Sequence, residues 1–308
     1  MSRHRTTQTI PHGDRTGGQD AGGLPAGDAR AAYRFTHGDC DITVVSDGHI
    51  HVPADIVTAG AAPEQRADML RRLPMAPEGV TAWANIPVVN TGSELVIFDI
   101  GGGSRYQPTE GRLQRNLAAC GIAPAAISRV VFTHAHPDHI WATLRDDGGL
   151  AFPNASYHVG QSEWDFWMDP DFFTSMPAAL HEFAAGTQRD LRAVESRLTF
   201  LQPGDDVVPG IRALGTPGHT PGHLSFEIAG GDGLIIVADA ATSPIVSFEH
   251  PDWVFGFDTL PDLAIDTRRK LLDRAAKDRP RLLGYHWTFP GLGHAERRGA
   301  AYRFVPDA

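Results

Sequence analysis

Apolar positions along this chain fall into short runs closed by turn signals, with stretches of helical spacing between them. Tyr33–Phe35 and Ile42–Val45 predict two strands around the turn His37-Gly38-Asp39, and Ser46-Asp47-Gly48 is a further turn signal. Asn85–Asn90 and Glu94–Asp99 predict a hairpin through Thr91-Gly92-Ser93. Arg129–Phe132, Ala151–Val159, Leu198–Leu201, Ile211–Leu214, Leu224–Ile228, Leu234–Val237 and Arg281–Tyr285 predict further strands. Helical spacing marks Pro63–Leu73, with Ala67, Leu70 and Leu73 inward, and Asp262–Lys277, with Leu263, Leu271 and Leu272 inward. Gly111–Gly121 predicts a helix capped by its closing glycine, and Gln161–Trp167 opens another that is rich in aromatics. This order of hairpins, helices and strands implies a layered α/β fold. Residues 1–30 show no hydrophobic period and are rich in Gly, Asp, Arg, Thr and Gln. They predict a disordered tail, or an arm against a partner subunit in a homodimer.

Composition narrows the function classes. Of 308 residues, 42% are apolar, enough for a substantial core. The net charge of −10 argues against a general nucleic-acid binder. The two cysteines, Cys40 and Cys120, form no Cys-x-x-Cys pair and read as small buried hydrophobes. There is no apolar run of about 18 residues, so no membrane span is expected. Arg3 and Arg5 precede no apolar segment, so no secretory signal is expected and a cytoplasmic location is inferred.

The chemistry gathers at strand ends. Directly after Arg129–Phe132 comes Thr133-His134-Ala135-His136-Pro137-Asp138-His139. Pro137 turns the chain away from the strand, and three imidazoles and a carboxylate at such a turn can converge on a metal such as Zn, Mn, Fe or Co. His219 lies in a second turn after a strand, Asp239 follows Leu234–Val237, and His286 follows Arg281–Tyr285. Seven such residues, each at a predicted strand end, do not suit a merely solvated surface. Asp99, also at a strand end, precedes three glycines, a pattern of close backbone approach to a site or of a plain connector. The aromatics after Gln161 are core, or taken together an apolar substrate wall.

In His134–His139 and the later His219, Asp239 and His286 the sequence resembles the metallo-β-lactamase superfamily, whose motif His-x-His-x-Asp-His it matches without gaps. It is most similar to the branch containing methyl parathion hydrolase and lactonases. Ala151-Phe152-Pro153-Asn154, Asp165-Phe166-Trp167, Pro217–His223, Phe289–His294 and Tyr302–Pro306 carry that resemblance. It implies a single αββα sandwich domain over 31–308, two mixed sheets flanked by helices, with two divalent ions at one edge, zinc first among them. Carried over, His134, His136 and His219 hold one ion, Asp138, His139 and His286 the other, and Asp239 bridges them. A hydroxide shared by the ions would attack a lactone or carboxylic ester, with side activity on phosphotriesters. Asp138 and Asp239 are the candidate catalytic carboxylates, and either Asp239 or a bound water would protonate the leaving group.

Tyr106, Trp141, Trp167, Phe172 and Phe173 are candidates for the substrate wall, and Asp47, Asp99, His223 and His294 for groups that orient the imidazoles. For His223 and His294 a purely local turn role stands beside that reading. The sequence departs from the common pattern at Ile100, Ala238 and above all Trp141, where most members have glycine after the motif. The small-molecule substrate stands open between lactone or ester and a dedicated organophosphate. A glyoxalase II-type thioesterase, a mononuclear-iron persulfide dioxygenase and a non-catalytic binding protein rank behind.

Overall fold

A computed structural model of the chain describes residues 31–307; the predicted tail lies outside them. Two sheets stack face to face. The first holds β1 (Ala32–His37), β2 (Cys40–Val52), β3 (Met75–Ala76), β4 (Gly79–Asn90), β5 (Leu95–Phe98), β6 (Arg129–Val131), β7 (Ser156–Gly160) and β8 (Leu198–Leu201). Its order is β1-β2-β4-β5-β6-β7-β8, with β3 paired to β4. The second holds β9 (Asp206–Val208), β10 (Ile211–Gly215), β11 (Leu224–Ile228), β12 (Leu234–Ile236), β13 (Arg281–Leu283), β14 (Leu292–Arg298) and β15 (Ala301–Pro306), in the order β15 to β9. The helices are α1 (Ala54–Val57), α2 (Pro63–Leu70), α3 (Leu113–Ala119), α4 (Pro137–Ile140), α5 (Gln161–Trp167), α6 (Phe172–Ser175), α7 (His181–Val194), α8 (Val246–Glu249) and α9 (Pro261–Asp278).

Strand alternation builds the layers. In β5, Val96 and Phe98 face the other sheet while Ile97 faces the helices, as a period of two requires. Phe98 meets Phe226 of β11 with ring centroids 4.9 Å apart, in a core shared with Ile42, Val131 and Leu283. Outside the first sheet, Leu117 of α3 and Leu191 of α7 pack on Val130 and Phe132. Outside the second, Leu271, Leu272 and Ala275 of α9 cover Ile235 and Leu282. The result is the α/β sandwich of two mixed sheets flanked by helices.

Topology positions the site. β5 and β6 run parallel, as do β12 and β13. Their carboxyl ends therefore reach the same edge of each sheet, and the loops carrying Asp99, His134–His139, Asp239 and His286 all start there. Two of these turns use left-handed backbone at non-glycine residues, Asp99 (φ 58°) and Ala238 (φ 48°). Such conformations persist where the surrounding structure over-determines them.

The predicted strand Ala151–Val159 is shorter than expected. Phe152-Pro153-Asn154 forms a turn, because proline cannot join the ladder, and only Ser156–Gly160 pairs. The β14–β15 hairpin and α7 had no counterpart in the sequence reading.

Candidate metal centre

The loop after β6 delivers its side chains by a change of backbone. His136 stands on extended chain, Pro137 then opens the single turn α4, and Asp138 and His139 are set on it. His134, His136 and His219 present donor nitrogens to one another: His136 Nδ1 lies 3.1 Å from His134 Nε2 and 2.9 Å from His219 Nε2. Asp138, His139 and His286 form an adjacent group, with His286 Nε2 3.3 Å and His139 Nε2 3.5 Å from Asp138 Oδ2. Asp239 stands between the groups. Its Oδ2 lies 3.3 Å from His219 Nε2 and 3.2 Å from His286 Nε2, and its Oδ1 3.5 Å from His139 Nε2. All seven are buried, and their donor atoms cluster in sets within 4.8 Å.

Hydrogen bonds fix the imidazole tautomers. His219 Nδ1 donates to Asp258 Oδ1 at 3.0 Å, His139 Nδ1 to Asp99 Oδ2 at 2.9 Å, and His286 Nδ1 to the Trp83 carbonyl at 3.0 Å. Thr133 Oγ1 donates to Asp99 Oδ2, so it accepts from His134 Nδ1 at 3.1 Å. With metal bound, four of the five rings would therefore offer a bare Nε2 lone pair to the site. Lone pairs gathered this closely repel unless a cation lies among them. His139 Nε2 and Asp239 Oδ1 are buried with no hydrogen-bond partner. These residues fit a pair of divalent ions with mixed nitrogen and oxygen ligation.

Electrostatics agree. Burial, reinforced by the neighbouring imidazoles, holds His134 and His136 well below the ordinary histidine range, so both are neutral. Burial also disfavours charge on His139, but Asp138, Asp239 and Asp99 outweigh it and raise its pKa to about 9. Metal entry would displace that proton.

Among the predicted orienting groups, Asp99 sits under His139 and Thr133. His223 donates from Nδ1 to Thr216 Oγ1 (2.8 Å) and accepts the Asp239 backbone N–H on Nε2 (3.0 Å), so it fixes the bridging loop rather than a ring. Asp47 accepts the backbone N–H groups of Gly111 and Leu113 and organises the loop before α3. His294 lies on β14, half exposed, bonded to the Pro280 carbonyl and away from the centre.

Sequence reasoning missed Asp258, Glu163 and Tyr285. Glu163 Oε1 accepts from Ala135 N and Trp167 Nε1, and Oε2 from Thr220 Oγ1 and Gly222 N, so one carboxylate ties both histidine turns together. Tyr285 stacks on His139 at 4.0 Å and donates to the Asp138 carbonyl. Glu163 begins three residues past the end of β7, a strand-end signal; Asp258 lies 39 residues from its partner with no motif around it.

A cavity of about 450 Å³ opens on His136, Asp138, His219, Asp239 and His286. Ile50, Val52, Val80 and Ala82 of the paired strands β2 and β4 form one wall, and Met176, Leu180 and Phe183 another. Ile245, Phe255 and Phe257 close it, and among the described residues none that lines it is lysine or arginine. Tyr106 lines it; the other four candidates for the wall lie elsewhere. Trp141 is covered by Gly186 of α7, where a Cβ would stand 2.4 Å from its ring. Trp167 is fully buried behind His136 with Phe172 stacked on it, and Phe173 points outward at 42% exposure. Trp167 and Phe172 instead pack into the core, where their large apolar rings are shielded from water.

Comparison with known proteins adds an independent line. The family model described as metallo-beta-lactamase superfamily matches residues 84–286. The N-acyl homoserine lactonase AttM of Agrobacterium fabrum is 32% identical over 136 residues, covering 41% of this chain and 45% of that protein. An N-acyl homoserine lactonase of Bacillus thuringiensis is 27% identical over 172 residues, covering 56% and 60%. The chain thus spans about half the length of the curated relatives it matches. Among solved structures, AidC, a dizinc quorum-quenching lactonase in complex with a product, N-hexnoyl-L-homoserine, superposes with TM-score 0.84 at 28% identity over 90% of this chain and 98% of that one. The hydrolase AbOPH, in the beta lactamase superfamily, gives 0.84 and 28% over 91% and 99%.

Proposed function

The chain belongs to the metallo-β-lactamase superfamily, and from that premise we propose that it is a dinuclear metal-dependent hydrolase of lactones bearing an apolar acyl chain, N-acyl homoserine lactones foremost. The observation that carries this reading is the apolar cavity of about 450 Å³ opening directly on the His/Asp cluster. It has room for an acyl chain and, among the described residues, no cationic side chain to hold an anionic substrate. The names of the relatives point the same way.

His134, His136 and His219 would hold one ion, Asp138, His139 and His286 the second, and Asp239 both. We propose zinc, the metal of the AidC structure. Bound there, two such ions lower the pKa of water and polarise the carbonyl under attack. The chain's own residues do the rest. Asp99, Asp258, Thr133 and the Trp83 carbonyl hold the rings in the tautomer that presents Nε2. The apolar walls exclude water from the acyl side and orient the scissile ester. We assign to Asp239 the relay of the proton released by the attacking water to the leaving alkoxide, which needs it more than an activated phenolate does, and to Asp138 a place on the opposite side of the centre.

A second reading, hydrolysis of neutral phosphotriesters, is favoured by the same absence of cationic lining residues. Zinc-reconstituted protein assayed on N-acyl homoserine lactones, aryl esters and phosphotriesters, with metal stoichiometry on the same sample, decides between them. We expect two ions per chain and lactone turnover well above triester turnover. Faster triester turnover would reverse the order, and activity surviving complete chelation would sink both.

A further inference from the structure

A buried ion pair joins the apolar wall of the cavity to His219. Arg268, on the inward face of α9, is 2% exposed. Its Nη2 donates to Asp258 Oδ2 at 3.0 Å, its Nη1 to the carbonyls of Trp253 (2.8 Å) and Pro251 (3.2 Å), and its Nε to the Ala240 carbonyl (3.3 Å). The other oxygen of Asp258 takes the Nδ1 proton of His219. One planar guanidinium therefore holds the turn beside Asp239, both ends of the segment from Trp253 to Asp258, and through Asp258 an imidazole of the centre.

That segment is the cavity wall. Phe255, Gly256 and Phe257 line the space, and the Phe255 ring lies 5.9 Å from that of His219. Gly256 N–H bonds to the Ile56 carbonyl, which fastens the wall to α1 on the far side. A fully desolvated guanidinium is a poor device for stability alone, since apolar residues of like volume do as well. Its value here is geometric, because four fixed acceptors are met by a rigid fork that lysine cannot reproduce.

We propose that Arg268 and Asp258 are positioning residues that transmit filling of the Phe255–Phe257 wall to His219, so that acyl-chain length is read in turnover as well as in affinity. This rests on the acyl-lactone reading above. Binding energy gained far from the reacting bond then acts on the geometry of the centre, as remote substrate contacts can.

The test has two arms. In the first, without substrate, zinc-loaded protein and the variants Arg268→Lys and Asp258→Asn are titrated with a chelator, with unfolding midpoints recorded on the same samples. Arg268→Lys keeps the buried charge and Asp258→Asn keeps the side-chain shape. We expect zinc affinity to fall by about 10–100-fold in each folded variant. In the second arm, kcat and KM are measured for N-acyl homoserine lactones of increasing chain length. In the wild type kcat rises with length; in Arg268→Lys that rise is lost while the trend in KM remains. Zinc retention equal to wild type in a folded variant, or the same dependence of kcat on length in both proteins, overturns the proposal. Absence of turnover on every lactone sinks the lactone reading and the chain-length clause with it, and the retention arm alone then decides whether the pair positions His219.

Discussion

Single residues here take their chemistry from what the opposite atom of the same side chain touches. The motif from His134 to His139 was legible because six adjacent letters carry it, and Asp99 because it ends a strand. Asp258 and Glu163 were not legible, since their partners are distant in sequence and any buried carboxylate could have served. The same rule governs His158, far from the centre on β7. Burial, aided by the charge of Arg129, lowers its pKa to about 4 against the opposing pull of Glu94. A histidine depressed in the folded state favours the fold above its unfolded pKa of 6.5 and withdraws that support as pH falls toward 4. The gap is worth about 3 kcal/mol at 1.36 kcal/mol per pKa unit. His158→Gln should therefore unfold with a shallower loss of stability between pH 6.5 and 4 than wild type. Denaturant titrations of metal-free protein across that window measure it, and parallel curves for the two proteins would refute the assignment.

At the level of elements, the strands were legible because alternation such as Val96-Ile97-Phe98 survives translation into two buried faces. Helix α7 was not, because its inward stripe is interrupted by polar residues with local tasks. Thr187 donates to the Ala135 carbonyl and Gln188 to the Trp167 carbonyl, and Asp190 is buried with them. Those bonds, like the four received by Glu163 on α5, stitch the helical layer to the histidine turns. Glu163→Gln removes acceptor capacity in front of donors that cannot move away. With the amide N–H₂ on the Thr220 side, Thr220 can turn its hydroxyl to accept, but the Gly222 N–H is left facing it, a cost of about 1–3 kcal/mol. The midpoint of thermal unfolding should fall accordingly, and zinc retention with it, since both turns lose their common anchor. A variant as stable as wild type would show that Glu163 does not bind the turns together.

Across the whole molecule, the sandwich matters because the proposed ligands come from both sheets. His134, His136, Asp138 and His139 follow β6 in one, while His219, Asp239 and His286 follow β10, β12 and β13 in the other. Ions at that seam should bind the folded chain far more tightly than the unfolded one. With free zinc 1,000-fold above Kd the gain is about 4 kcal/mol per site, about 8 kcal/mol for the pair, or roughly 20 °C at 2–4 °C per kcal/mol. Chelation should lower the unfolding midpoint by that order and added zinc restore it; a midpoint indifferent to zinc would count against ions at the seam. The closing strand order has a consequence in time. His286 is reached about 150 residues after the histidine turn, roughly eight to thirty seconds of synthesis at 5–20 residues per second. A chain leaving the ribosome thus carries four of the seven proposed ligands well before His286 exists to complete the set.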